Sequence, residues 1–197
     1  YADLTWDRKR PKSIYSFCKD DRVIYCGSFS KSLAPALRVG YIVASWQVIS
    51  KILAFKNDGG SGAIEQMILA DFCSKNYKKH ASILVKELKR KCDLMIQALE
   101  IEFGSIAEFD IPKGGIFIWI TFPDIINTNK LYEAALKKGI ALNPGSEWVS
   151  NPSKGMNKIR LCFANPSDKI IKKGVNRLAE ICFQEFGIPN ISANIKR

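Results

Sequence analysis

The chain has 197 residues, 47% hydrophobic and 25% charged, so it holds one globular domain, or one with a small second, with enough apolar material for a core. Its net charge is +11, but the basic residues are scattered; the densest cluster, Lys86–Cys92, lies on a helical pattern that includes Glu87, which favours a solvated helix face over a nucleic-acid patch. Six cysteines with no C-x-x-C pair and one histidine, His80, exclude zinc ligation of ordinary spacing and argue against a histidine-based hydrolase triad.

In chain order, Val23, Ile24 and Tyr25 lead into Gly27 and serines, which predicts a strand ending in a turn. Residues 38–45 predict a second strand, apolar on both faces as buried parallel or mixed sheets require. Residues 45–57 predict a short helix with Ser45 as its cap. The run Asp58–Gly62 has the composition of a flexible stretch, and helical spacing resumes at Ala63. From Tyr77 to Phe103, Leu84, Leu88, Met95 and Leu99 recur at helical intervals with charges between them. A helix of about 25 residues spans about 40 Å, long for one small domain and suited to connecting two. Residues 107–112 and 114–122 read as strands around a turn at Gly114–Gly115. Residues 127–139 read as a helix capped by Asn127 or Thr128 and ended by Gly139. Residues 140–145 and 157–165 are short strands. A closing helix, capped by Ser167 or Asp168, carries Ile170, Ile171, Val175, Leu178 and Cys182 on its apolar stripe. This second half is α+β, a small sheet under helices. Several cysteines sit inside apolar runs as small hydrophobes do, which fits a reduced, cytoplasmic setting. No apolar stretch is long enough to cross a bilayer.

One stretch carries chemistry. Lys31 follows Ser28 and Ser30, and Arg38 comes seven residues later. A lysine amine reacts covalently when it is neutral, and a nearby cation and partial desolvation both favour that form. Ser28, Ser30 and Arg38 suit a phosphate: two hydroxyls and one guanidinium fork. An aldehyde-reactive amine beside a phosphate clamp fits pyridoxal 5'-phosphate. Taken alone, the string also reads as a polar loop with a surface lysine. His80 has no serine or cysteine partner that the sequence identifies, and a structural role is expected for it.

The wider string, Ser28–Tyr41, "SFSKSLAPALRVGY", closely resembles the lysine signature of the fold-type I, class I/II aminotransferases. The resemblance implies that Lys31 forms a Schiff base with pyridoxal phosphate and that Ser28, Ser30 and Arg38 hold its phosphate. "YADL" at Tyr1–Leu4 is similar to the end of the family's D-x-x-Y motif, which makes Tyr1 the donor to the ring oxygen; the ring-binding aspartate would precede residue 1. "PKGGIFIWITFP" at Pro112–Pro123 and "ALNPGSEW" at Ala141–Trp148 resemble the family's small-domain segments. "NKIRLCFA" at Asn157–Ala164 resembles the strand whose arginine grips the substrate α-carboxylate, implying that role for Arg160.

The implied fold is α/β: the C-terminal part of the large cofactor domain with a mostly parallel sheet (1–76), a long connecting helix (77–103) and a small C-terminal α+β domain (104–197). The implied reaction is transamination of an amino acid with a 2-oxo acid, 2-oxoglutarate being the expected acceptor, in a cytoplasmic homodimer without membrane association. A chain starting at Tyr1 is expected to lack the family's N-terminal half and to be inactive or feeble alone. Within the family the string most resembles aminoadipate/kynurenine-type enzymes and the related domain of MocR-type regulators. In the latter the same domain senses ligand, and nucleic acid is a partner only through an upstream DNA-binding domain. A lyase or decarboxylase on this fold is a further option.

Overall fold

A glycine sets the first pairing in the chain. In the computed structural model, which describes residues 1–7, 10–18 and 20–189, β1 (Tyr25–Ser28) and β2 (Gly40–Val43) run antiparallel with Gly27 opposite Tyr41. A Cβ on Gly27 would lie 2.1 Å from the Tyr41 ring. The bare backbone therefore lets Tyr41 fold across the strand, with its ring 6.0 Å from that of Tyr25 and 5.7 Å from that of Phe29.

The chain divides into two units, Tyr1–Val85 and Lys86–Arg197. In the first, the described residues form only this two-stranded antiparallel sheet, so the expected mostly parallel sheet is corrected. The cause is the short connection: residues 29–39 carry a 3-10 turn, Pro35–Leu37, and a parallel pair needs a longer, usually helical crossover. Burial of β2 on both faces is corrected too. Tyr41, Ile42 and Val43 are each about 40% exposed (40%, 44% and 42%), because two strands cannot cover each other's faces.

The helix α1 spans Trp46–Ala54. Ser45 occupies its N-cap position, but the side chain makes no capping bond and its buried Oγ has no partner among the described residues. The next helix, α2, is continuous from Ala63 to Phe103. The spacing at 63–74 and the periodic run from Tyr77 thus merge, because no proline or glycine separates them.

In the second unit, β3 (Phe117–Thr121), β4 (Asn143–Pro144) and β5 (Lys158–Cys162) form an antiparallel sheet in the order β3-β5-β4. Residues 107–112 do not form a strand; only Glu108 bridges to Thr121. Alternation along the strands buries Ile118, Ile120, Ile159 and Leu161 on one face and leaves Phe117, Trp119, Arg160 and Cys162 half-buried on the other. The helices α3 (Thr128–Lys137) and α4 (Asp168–Phe186) complete the unit. Asn127 caps α3 by accepting from the backbone N–H groups of Asn129 and Lys130. Leu99, Leu131, Ile171, Leu178 and Cys182 are buried, each fully covered aliphatic side chain contributing about 1.5–3 kcal/mol. Ile170, assigned to the same stripe, is exposed.

The basic cluster is largely paired. Arg90 donates to Glu87 and, at 2.7 and 2.8 Å, to both carboxylate oxygens of Asp168. Lys89 pairs with Asp93, and Lys91 donates to the Ala164 carbonyl at 2.8 Å. The Arg90 guanidinium holds the Asp168 and Glu87 carboxyls below their ordinary range.

The cysteines are free. Burial pushes the Cys92 thiol up to about 11 and the Cys182 thiol up to about 12, whereas Cys26 is exposed. Since the thiolate is the reactive form, titration with a disulfide reagent under native conditions should modify Cys26 early, and Cys92 and Cys182 only on unfolding. Peptide mapping checks the order, and native labelling of Cys182 would contradict the packing.

Candidate active site

The lysine turn is closed from within. Phe29 N–H donates to Val39 O (3.3 Å), and Leu33 N–H to Phe29 O (2.9 Å). Ser30 N–H donates to Ser28 Oγ at 3.1 Å, so the two serines are brought together. Lys31 and Ser28 are exposed, and Ser30 is half-buried. Partial desolvation of Lys31 is therefore not supplied by the described residues: its side chain is exposed while the neighbouring Ser32 is buried.

Arg38 ends the 3-10 turn in the left-handed region, at φ +51° and ψ +34°. It is the one described non-glycine residue with positive φ, a conformation costing about 1–2 kcal/mol. Its Nη1 donates to Pro35 O at 3.1 Å, which leaves the rest of the guanidinium fork for another acceptor. Such strain is retained where the surroundings impose it. Two hydroxyls, a guanidinium and a primary amine on one turn form a donor set that fits a phosphorylated aldehyde.

Two contacts tie this region to α2. Ser32 is 5% exposed, and its carbonyl lies 3.0 Å from His80 Nε2. The Tyr77 hydroxyl donates to Asp3 Oδ2 at 2.7 Å. Burial, more than its bonds, raises the Tyr77 phenol above its ordinary range. Tyr1 sits at the start of the same turn as Asp3, with Leu4 N–H donating to Tyr1 O at 2.8 Å; its side chain is 59% exposed.

Arg160, in the second unit, lies on β5 opposite Trp119 and Asn143. Its guanidinium carbon is 4.0 Å from the Phe117 ring centre and 3.2 Å from that of Trp148, an aromatic clamp on both sides of a cation. Nη2 donates to Asn143 Oδ1 at 3.4 Å, while the buried Nε has no partner among the described residues. An orphaned buried donor costs about 1–3 kcal/mol, and a carboxylate on that fork would remove the cost. Sequence reasoning missed Phe117, Trp148 and Asn143 as partners of Arg160, and Asp3, Ser32, Tyr77 and His80 as partners of one another. Period-two alternation puts Phe117 and Arg160 on one face only once the register is known, and the others leave no local spacing signal.

Residues 1–178 match the family "Aminotransferase class I and II". The chain belongs to that family. It is 37% identical over 181 residues to the HTH-type transcriptional regulator YdfD of Bacillus subtilis, covering 90% of this chain and 37% of that protein. It is 32% identical to aromatic-amino-acid aminotransferase 1 of Thermococcus litoralis, covering 94% and 45%. In structure it is similar to LysN, the α-aminoadipate aminotransferase of Thermus thermophilus complexed with N-(5'-phosphopyridoxyl)-L-leucine, with a TM-score of 0.86 and 27% identity over 96% of this chain and 50% of that one. The chain thus spans half or less of the length of these relatives, and its α/β fold is that of pyridoxal-phosphate aminotransferases. Among the described residues no group of three or more metal-ligating side chains is arranged to hold a metal ion, and no helix is long and apolar enough to cross a membrane.

The strain at Arg38 is directly testable. Arg38→Gly is expected to hold or raise thermal stability, by up to about 1 kcal/mol, since glycine adopts positive φ without penalty. A lowered melting temperature would show that the bond to Pro35 outweighs the strain.

Proposed function

We propose that the whole protein is a pyridoxal-phosphate-dependent aminotransferase that moves an amino group from an amino acid to a 2-oxo acid, with 2-oxoglutarate as acceptor. The observation that carries this reading is the lysine turn: an exposed amine, paired serines and a strained arginine on one connection of a family member. When bound, pyridoxal phosphate supplies an aldehyde carbon that takes up amino groups and a ring that accepts electrons. The Lys31 amine would hold that carbon. Ser28, Ser30 and Arg38 would hold the phosphate, and the Tyr1 hydroxyl would donate to the ring oxygen. The Lys31 amine, when free, would take the proton from the substrate Cα as general base and return one as general acid. Arg160 binds the α-carboxylate through its fork, oriented edge-on by the aromatic planes at its faces. The active unit is proposed as a cytoplasmic homodimer. Residues 1–76 would form the end of the cofactor domain, 77–103 the connecting helix and 104–197 the small domain.

A second reading is favoured by the regulators among the relatives, YdfD at 37% identity being one. In it the same residues bind the same ligands, but a DNA-binding segment elsewhere in the whole protein reports their presence. Keto-acid production separates the two: an aminotransferase releases it catalytically, whereas a sensor binds ligand without turnover and changes its affinity for DNA.

In the whole protein mixed with pyridoxal phosphate, a visible absorbance band should appear, vanish in Lys31→Ala and carry with it at least a hundredfold of the transamination rate. A band that survives the substitution would overturn the assignment. Arg160→Lys should raise KM for the amino acid about ten- to a hundredfold, the loss expected for a bidentate charged pair, with a smaller change in kcat. An unchanged KM would remove Arg160 from the carboxylate site.

A further inference from the structure

Lys31 is exposed, yet the residue beside it is among the most constrained polar residues in the first unit. Ser32 and Thr128 are the only buried polar residues among those described, and Ser32 is the one in this unit. Its carbonyl is engaged by one face of α2. The carbonyl faces His80 Nε2 at 3.0 Å, and one turn away the Tyr77 O–H is donated to Asp3 at 2.7 Å. Tyr77 and His80 are three residues apart, hence neighbours on the helix surface. His80 is steadied in turn by Phe72, edge-on at 5.5 Å. Leu33 N–H, on the other side of Ser32 from Lys31, is bonded back to Phe29 O. The main chain around the lysine is therefore pinned while its side chain is left in solvent. The same helix face holds Asp3, two residues from Tyr1, so the two segments that carry candidate cofactor contacts share one support.

We infer that Tyr77 and His80 are positioning residues: through Ser32 and Asp3 they fix the main chain that carries Lys31 and Tyr1 so that the amine is presented in one orientation. This rests on the reading of Lys31 as the cofactor-binding lysine. A lysine on a loose turn would sample many positions, and ordering it would cost conformational entropy at every encounter; a turn bolted to a helix has that cost met during folding. A purely structural bond between helix and loop would stabilise the fold but leave the reactivity of Lys31 relative to other lysines untouched.

The test measures that ratio. The whole protein is treated briefly with pyridoxal phosphate and reduced with borohydride, and peptide mass spectrometry compares the phosphopyridoxyl label on Lys31 with that on Lys51, which is exposed in the same unit. Tyr77→Phe and His80→Leu are expected to lower the Lys31/Lys51 ratio by up to about tenfold, the worth of one or two hydrogen bonds, with circular dichroism unchanged. His80→Gln, which keeps an N–H donor, should restore most of it. Should either variant fail to fold, the other carries the test, and Asp3→Ala removes the acceptor of the Tyr77 hydroxyl. Variants that melt at lower temperature but keep the parent ratio would overturn the inference, leaving the network purely structural. A parent ratio near one is a different failure: Lys31 would then not be the cofactor lysine, and the inference would fall with that reading.

Discussion

The pairing of Ser28 with Gly40 decides how far the lysine turn has to reach. Once those two backbones are locked in antiparallel register, residues 29–39 must reverse direction within one strand spacing, about 5 Å. Nearly every feature of the turn follows from that closure. Small residues and a proline allow a 3-10 turn, Arg38 takes the left-handed conformation to bring the chain back, and Phe29 N–H finds Val39 O across the base. The register depends in turn on Tyr41 lying over Gly27, where any Cβ would collide with its ring. One missing methyl group thus sits beneath the chemistry of the first unit.

The second unit meets its candidate site differently, by division of faces. Ile118, Ile120, Ile159 and Leu161 point one way and build the core; Phe117, Trp119 and Arg160 point the other. The arginine is half-buried without a carboxylate partner among the described residues, and aromatic planes replace the counter-ion on both sides. Such stacking holds a guanidinium flat while leaving its in-plane donors available, which an ion pair would occupy. Close packing of backbone supports the arrangement: a Cβ on Gly145 would lie 2.7 Å from Gly155 O, so the segment that ends at Trp148 runs directly against its neighbour.

What the sequence disclosed tracks how local each determinant is. The lysine turn was legible because glycine, serines, lysine and arginine lie within one short string. The cap on α3 was legible because Asn127 and the helix it caps are adjacent. Arg160 was marked by its string, but its clamp was not, since Phe117 and Trp148 come from separate segments. His80 and Ser32 are 48 positions apart, and Tyr77 and Asp3 are 74; no spacing rule joins such pairs before the fold does. Where local pattern misled, tertiary context overrode it. Residues 107–112 look extended, yet only Glu108 finds a ladder partner. The apolar run Tyr41–Val43 looks like the centre of a buried sheet but has one neighbouring strand among the described residues and stays half-open.

That half-open pair has a consequence for the chain as a material. Among the described residues β1 and β2 pair only with each other, so each keeps one outer edge of unmatched amide and carbonyl groups, and Ile42, Val43 and the nearby Trp46 keep oily surface beside them. An edge of this kind templates any extended segment that meets it. Handled in isolation, the chain therefore carries a tendency to self-associate in the strands that bracket Lys31, and a solubilising change made there would alter the geometry of the turn.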